Sequence, residues 1–405
     1  MGRRGRYALS AMKGWMRSPG VGLVVLLAAA SVSTGHVHAA RGVEETVALE
    51  APANVTPPSP ELVAAVPVSV VAIETASPTI VAPSNLYANA LAGMAPAVAD
   101  LPARVYVPNE LANTVSVIDP VTFKVIDTIK VGSHPQHVAP DWDLGRLYVN
   151  DSGLTEIDTR TGKVVRTIKV DMPYNLYFTP DGTTAIVVAE DLKRLDFFDR
   201  TTWQKTGTLA IPWAGVDHLD FSADGSYLLT TTEYTGKVVK VDLRSRTIAG
   251  TLDVGGLPID VRLAPDGRTF YVTNQGRHGV SLIDGETLRE VGFITTGRGA
   301  HGLAISRDAT QLYVSNRLAG TISVIDFATR RVVANWVIGG SPDMLQVSTD
   351  GRQLWTGNRY ASTTVVIDTQ TGKVLANIPV GRAPHGLTFF PQPGQISLGH
   401  NGVYR

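Results

Sequence analysis

Cysteine is absent from all 405 residues. Its absence excludes disulfides, thiolate metal sites, thioether-linked haem and a lipid anchor on an N-terminal cysteine. The common catalytic signatures are missing as well: there is no Walker loop, no Gly-x-Ser-x-Gly elbow and no His-Glu-x-x-His pair. An excess of charge is also lacking, with 36 basic against 36 acidic residues. No basic stripe interleaved with aromatics occurs, which argues against nucleic-acid binding. No segment shows the 3.6-residue apolar period of a helical repeat.

Glycine and proline are plentiful, at 39 and 24 residues, and 44% of the chain is hydrophobic. That composition favours many short strands joined by turns around a sizeable core.

The N-terminus has the pattern of an export signal. Arg3, Arg4, Arg6, Lys13 and Arg17 precede an apolar run, Val21 to Val32, of 12 residues. A membrane span needs about 20 apolar residues. Val37 and Ala39 suit signal-peptidase cleavage, so residues 1–39 are expected to be removed and the protein to be periplasmic or secreted. An Arg3-Arg4 pair also hints at twin-arginine export. Removing five basic residues leaves 31 against 36 acidic ones, a charge of −5. Such a chain has no global attraction to nucleic acid or anionic lipid, and no membrane span is expected after cleavage. Residues 40–102 are rich in Ala, Val and Pro. Frequent proline rules out a long helix, and a disordered linker is expected there, a tether with a short docking segment as the alternative.

Residues 103–405 repeat seven times. A strand-like run ends in a polar residue at RVYVPN (104–109), RLYVND (146–151), AIVVAE (185–190), YLLTTT (227–232), TFYVTN (269–274), QLYVSN (311–316) and QLWTGN (353–358). A second marker, an Asp closing another apolar run, stands at 119, 158, 199, 242, 284, 326 and 368. Asp-Gly and Thr-Gly-Lys turns separate the runs. Four short strands per period of about 40–45 residues are the pattern of a propeller blade. The expected fold is therefore all-β, a seven-bladed β-propeller preceded by a signal peptide and a disordered linker.

YVTN at 271–274, YVSN at 313–316, TISVIDFATRRVVANWVIG at 321–339, VVIDTQTGKVLANIPVG at 365–381 and APHGL at 383–387 resemble the YVTN-type β-propeller repeat family, with its YncE-like secreted members. The resemblance spans about residues 104–401 and implies the fold more firmly than any function, since such relatives include surface proteins, lactone-cleaving enzymes and quinoprotein-associated propellers. The second and third units depart most: they lack the YVxN ending and the Pro-His-Gly loop.

Ring closure is ambiguous at this level. Gly386–Phe390 should complete the first blade, yet Gln395–His400 looks like a second strand, a place Arg104–Pro108 already takes.

In a propeller, the loop entering each innermost strand opens on the channel mouth. Aligned on Pro135, Pro173, Gly215, Pro258, Ala300, Pro342 and Pro384, these loops place His137, Tyr174, Asn175, Asp217, His218, Asp260, His301, Asp343 and His385 around that mouth. The neighbouring loops add Arg317 and Arg359, which could clamp a carboxylate or phosphate. Imidazole and carboxylate together could hold a divalent cation, although no cofactor is required by any motif. A Pro-His-Gly loop is equally explained as a structural turn, and the repeated Asn and Asp as turn residues. The reading adopted is a binding or scaffold propeller, monomeric, for a protein or small molecule of the cell envelope. The alternative is a lyase or lactonase using His and acidic residues at the mouth.

Overall fold

The computed structural model describes residues 85–88, 93–400 and 404–405. The expected signal peptide and most of the expected linker lie outside the described residues.

Seven antiparallel four-stranded sheets form a seven-bladed propeller. From channel to rim, blade one is Thr388–Phe390, Arg104–Asn109, Thr114–Asp119 and Lys124–Lys130. Blades two to seven begin with inner strands His137–Pro140, Asn175–Phe178, Val216–Phe221, Pro258–Leu263, Ala300–Ile305 and Pro342–Val347. Helix among the described residues is limited to Ala88 and to single 3-10 turns such as Glu190–Leu192 and Glu233–Thr235.

Burial explains the strand patterns. Second strands such as Thr269–Asn274 are buried on both faces, because each blade is sandwiched between two others. Their sequences are accordingly near-continuous apolar runs. Outer strands such as Arg331–Val337 alternate exposed and half-buried residues, as an edge facing water requires. Seven apolar clusters fill the seven blade interfaces. One joins blades three and four through Ile186, Val188, Phe197, Leu219 and Phe221; another seals blades seven and one through Trp355, Val366, Val105 and Phe389.

The repeated Asp caps a turn. Asp326 Oδ1 accepts the backbone N–H of Thr329 at 2.7 Å, and Asp368 Oδ1 that of Thr371 at 2.7 Å. The repeated Asn also has structural bonds: Asn316 Nδ2 donates to Ser323 Oγ at 2.9 Å, and Asn358 Oδ1 accepts from Ser341 N at 2.7 Å.

Closure is settled by Thr388–Phe390, which pairs antiparallel with Arg104–Tyr106. Both edges of Arg104–Asn109 are then occupied, so no place remains for Gln395–His400 as a second strand. That tail instead crosses the floor, beneath the exits of the inner strands. Phe178 N donates to Leu398 O at 3.0 Å and Ser397 N to Trp142 O at 3.1 Å. The Arg405 guanidinium reaches Phe221 O at 3.1 Å. The segment just before the blades joins it: Tyr87 Oη donates to Leu263 O at 2.7 Å, and Gly394 N to Gly93 O at 2.9 Å. Tyr87, Leu398 and Tyr404 are buried there.

Candidate binding site at the channel mouth

The loops entering the inner strands and those leaving the second strands meet on one face, as their backbone bonds show: Glu233 N donates to Gly215 O at 2.7 Å and Arg317 N to Gly299 O at 2.8 Å. Blades four to seven share a further device. The inner-strand ladder shifts between Val216 and Leu219, Pro258 and Val261, Ala300 and Leu303, and Pro342 and Leu345. Each shift is a bulge holding two residues out of register, and bulges re-aim side chains. Asp217, His218, Asp260, His301 and Asp343 all sit in these bulges.

On one side of the mouth, Asp343 gathers cations. Arg317 Nη2 lies 2.8 Å and Arg359 Nη1 3.7 Å from its Oδ2, His301 Nε2 2.9 Å from its Oδ1, and His385 Nε2 3.9 Å from Oδ2. Arg359 also pairs with Glu110. The two Arg side chains are only 14% and 19% exposed, so they are not solvated surface groups. Burial alone would raise the Asp343 carboxyl; Arg317, His385 and His301 outweigh it and hold it well below the ordinary 3.8. Burial, reinforced by Arg317, lowers His301 to about 4, which leaves its imidazole neutral. Arg317 Nε, Arg359 Nη1 and His301 Nδ1, by contrast, have no hydrogen-bond partner among the described residues.

The opposite side is acidic. Glu190, Asp217 and Glu233 approach one another, with Tyr174 bonded to Asp217 and Tyr234 bonded to Glu190 and Glu233. Burial and then mutual repulsion push Glu233 up to about 8 and Glu190 well above its usual range. Burial is also the main cause that lifts Asp217 well above 3.8. The mouth is therefore bipolar: ionised Asp343 with its two Arg faces a set of carboxyls that retain protons.

Deeper in the channel lie His137 and His218, with ring centroids 5.4 Å apart. Asn175 is buried nearby in its inner strand, with both amide atoms unpartnered. Asp260 is committed to the scaffold: its carboxylate accepts the N–H of Val261 at 2.9 Å and of Leu303, in the next blade, at 2.8 Å. His385 Nδ1 lies 3.0 Å from Gln136 O across the blade one–two interface.

Two features escaped the sequence reading. His400, from the tail, enters the channel from below and meets His137 edge to face, at 3.9 Å between centroids. Burial and the neighbouring His218 hold its pKa well below the ordinary value. The second feature is an apolar rim. Leu111, Tyr234, Leu318 and Tyr360 occupy one equivalent loop position in four blades and are 51%, 52%, 46% and 76% exposed. That position follows the polar residue already aligned, so the signal was present for the rim and absent for His400, which belongs to no repeat.

The model of the YNCE-like beta-propeller family matches residues 63–392. No curated protein matches the sequence. Several solved structures are similar in fold. The periplasmic gluconolactonase of Pseudomonas aeruginosa is 19% identical with a TM-score of 0.62, over 72% of this chain and 99% of that one. A chain of Kuenenia stuttgartiensis hydrazine synthase is 20% identical with a TM-score of 0.60, over 68% and 94%. The dihydro-heme d1 dehydrogenase NirN is 18% identical with a TM-score of 0.56, over 70% and 74%. At these identities the likeness is one of fold.

Proposed function

The chain belongs to the YNCE-like β-propeller family, and from that premise we propose that it is an extracytoplasmic binding module that holds a polar ligand, free or carried by a partner protein, at the channel mouth. One observation carries the reading: Arg317, Arg359, His301 and His385 are gathered around the buried Asp343 carboxylate, and Arg317 Nε, Arg359 Nη1 and His301 Nδ1 are left without a hydrogen-bond partner among the described residues. Buried polar groups are nearly always satisfied, and clustered exceptions mark sites that a ligand or ordered water completes. The acidic side opposite would accept hydroxyl or ammonium groups, while Arg317 and Arg359 suit a carboxylate. The apolar rim supplies area for a partner around that polar centre. Location outside the cytoplasm rests on the signal-peptide pattern of residues 1–39, and no helix among the described residues is long and apolar enough to cross a membrane. Immobilised mature protein exposed to envelope extract should retain a ligand or partner that an Arg317→Met/Arg359→Met variant releases. Equal retention by both proteins would contradict the reading.

A second reading, lactone hydrolysis, is favoured by the neutral His301 set 2.9 Å from ionised Asp343. Such a pair can take a proton from water, and Arg317 stands beside it to bind a developing carboxylate. Turnover of simple sugar lactones, abolished by His301→Ala, would establish it; no turnover would leave binding as the function.

A further inference from the structure

Beneath the mouth, three imidazoles from separate parts of the chain converge. His137 begins the inner strand of blade two, His218 sits in the bulge of blade four, and His400 comes from the tail. One ring nitrogen of each lies within 4.8 Å of the others. Their centroids are 3.9 Å apart for His137–His400, 4.7 Å for His218–His400 and 5.4 Å for His137–His218. All three are fully or almost fully buried, and both ring nitrogens of His137 and of His400 lack a hydrogen-bond partner among the described residues. Packing does not explain this arrangement. An imidazole always carries at least one donor or acceptor to satisfy, and here four such nitrogens converge without a protein partner among the described residues.

We propose that His137, His218 and His400 form a metal site for a transition-metal ion such as Zn²⁺ or Cu²⁺. Several features of the site select that class. The ligands are neutral imidazoles, which suit zinc, copper and nickel rather than calcium or magnesium. Asp217 Oδ1 lies against His218 Nδ1, leaving His218 Nε2 for the ion, and an oxygen acceptor behind a ligating imidazole is the usual outer shell of such sites. Tetrahedral nitrogen ligands about 2.1 Å from zinc stand about 3.4 Å from one another, so the rings need to close by about an ångström. Three protein ligands leave one position for water. His385 lies 4.6 Å from His137 between ring centroids, but its two ring nitrogens face Gln136 O and Asp343 instead.

The site has a structural consequence. His400 is the only ligand from outside the blades, so the ion fastens the floor-crossing tail to blades two and four. This inference goes beyond the mouth reading and survives its failure, since none of the three ligands contacts Arg317 or Arg359.

The test is zinc binding by the purified chain, stripped with chelator, dialysed against Zn²⁺ and measured by elemental analysis. One zinc per chain is expected. His137→Ala and His400→Ala should each weaken binding more than about 100-fold, and Asp217→Asn about 10–100-fold. His278→Ala, whose ring is engaged by Gln275 O and Gly299 N, should bind as the native chain does. Should an alanine variant unfold, His400→Cys keeps the question open to measurement, because a thiolate restores a ligand; it should recover most of the affinity. With Co²⁺ in place of zinc, the native chain should show intense visible absorption of a four-coordinate ion and His400→Ala should not. Absence of stoichiometric zinc, or native affinity in folded His400→Ala, would overturn the proposal.

Discussion

The two ends of the channel are built from different material. The mouth is assembled from seven copies of one loop, varied at one or two positions per blade. The floor is assembled from the two ends of the chain, which repeat nothing. At the mouth, chemistry arises because copies differ: blade seven offers Asp343 where blade six offers His301, and blade four offers Asp217 and His218. At the floor, a unique segment covers the inner-strand exits and inserts His400 from below. The repeat supplies positions, and departures from the repeat supply chemistry.

If the floor is structural and the mouth functional, mutations at the two ends should separate. The largest loss of stability is expected at the floor. Leu398 is buried against the blade three–four cluster, so Leu398→Ala should cost about 2–5 kcal/mol in denaturant unfolding, with the mouth ligand still bound by the folded fraction. Next comes the buried ion cluster of the mouth. Arg317→Met deprives Asp343 of its nearest cation and should cost about 3 kcal/mol, while Asp343→Asn added to it should recover much of that loss. Both should abolish ligand retention.

A smaller effect separates the two sides of the mouth by pH. Glu233 is raised from 4.5 to about 8. Its folded form binds the proton more tightly, so its contribution is full below about 4.5 and is lost as pH rises through 8. Asp343 is depressed instead, so its contribution is present above its ordinary 3.8 and lost as the solution is acidified below that. Glu233→Gln should therefore flatten the fall in melting temperature between about pH 4.5 and 8, and Asp343→Asn the fall in acid. The smallest effect on stability belongs to the rim. Leu318→Ser with Tyr360→Ser should each stay within about 0.5 kcal/mol, yet weaken retention of a protein partner.

The contrast between the ends also decides what the sequence could reveal. The blades were legible because a 42-residue spacing of Asp closures from Asp242 to Asp368 survives any change of side chain between them. Asp217, His301 and Asp343 could be aimed at the channel because each stands at a fixed offset from the start of its inner strand. What alignment could not show is how a side chain is used. Asp260 occupies the place that His218 has in blade four, but its carboxylate is taken up by the N–H of Leu303 in the next blade. Arg317 and Arg359 could be named as clamps for an anion, but alignment does not show that a buried Asp343 of the chain itself lies between them. Gln395–His400 has a strand-like pattern, and only the pairing of Thr388–Phe390 with blade one denies it a place. His400 then reaches its partners through a long-range closure that no local spacing encodes.

The account rests on the mouth being a site rather than a sealed polar plug. An experimental structure of the protein purified from its own cell envelope tests this most directly. The account predicts density for a bound molecule within hydrogen-bond reach of Arg317 or Arg359 on one side and of Asp217 or Tyr174 on the other. A mouth holding only ordered waters, with Arg317, Arg359 and His301 satisfied by protein and water alone, would contradict it.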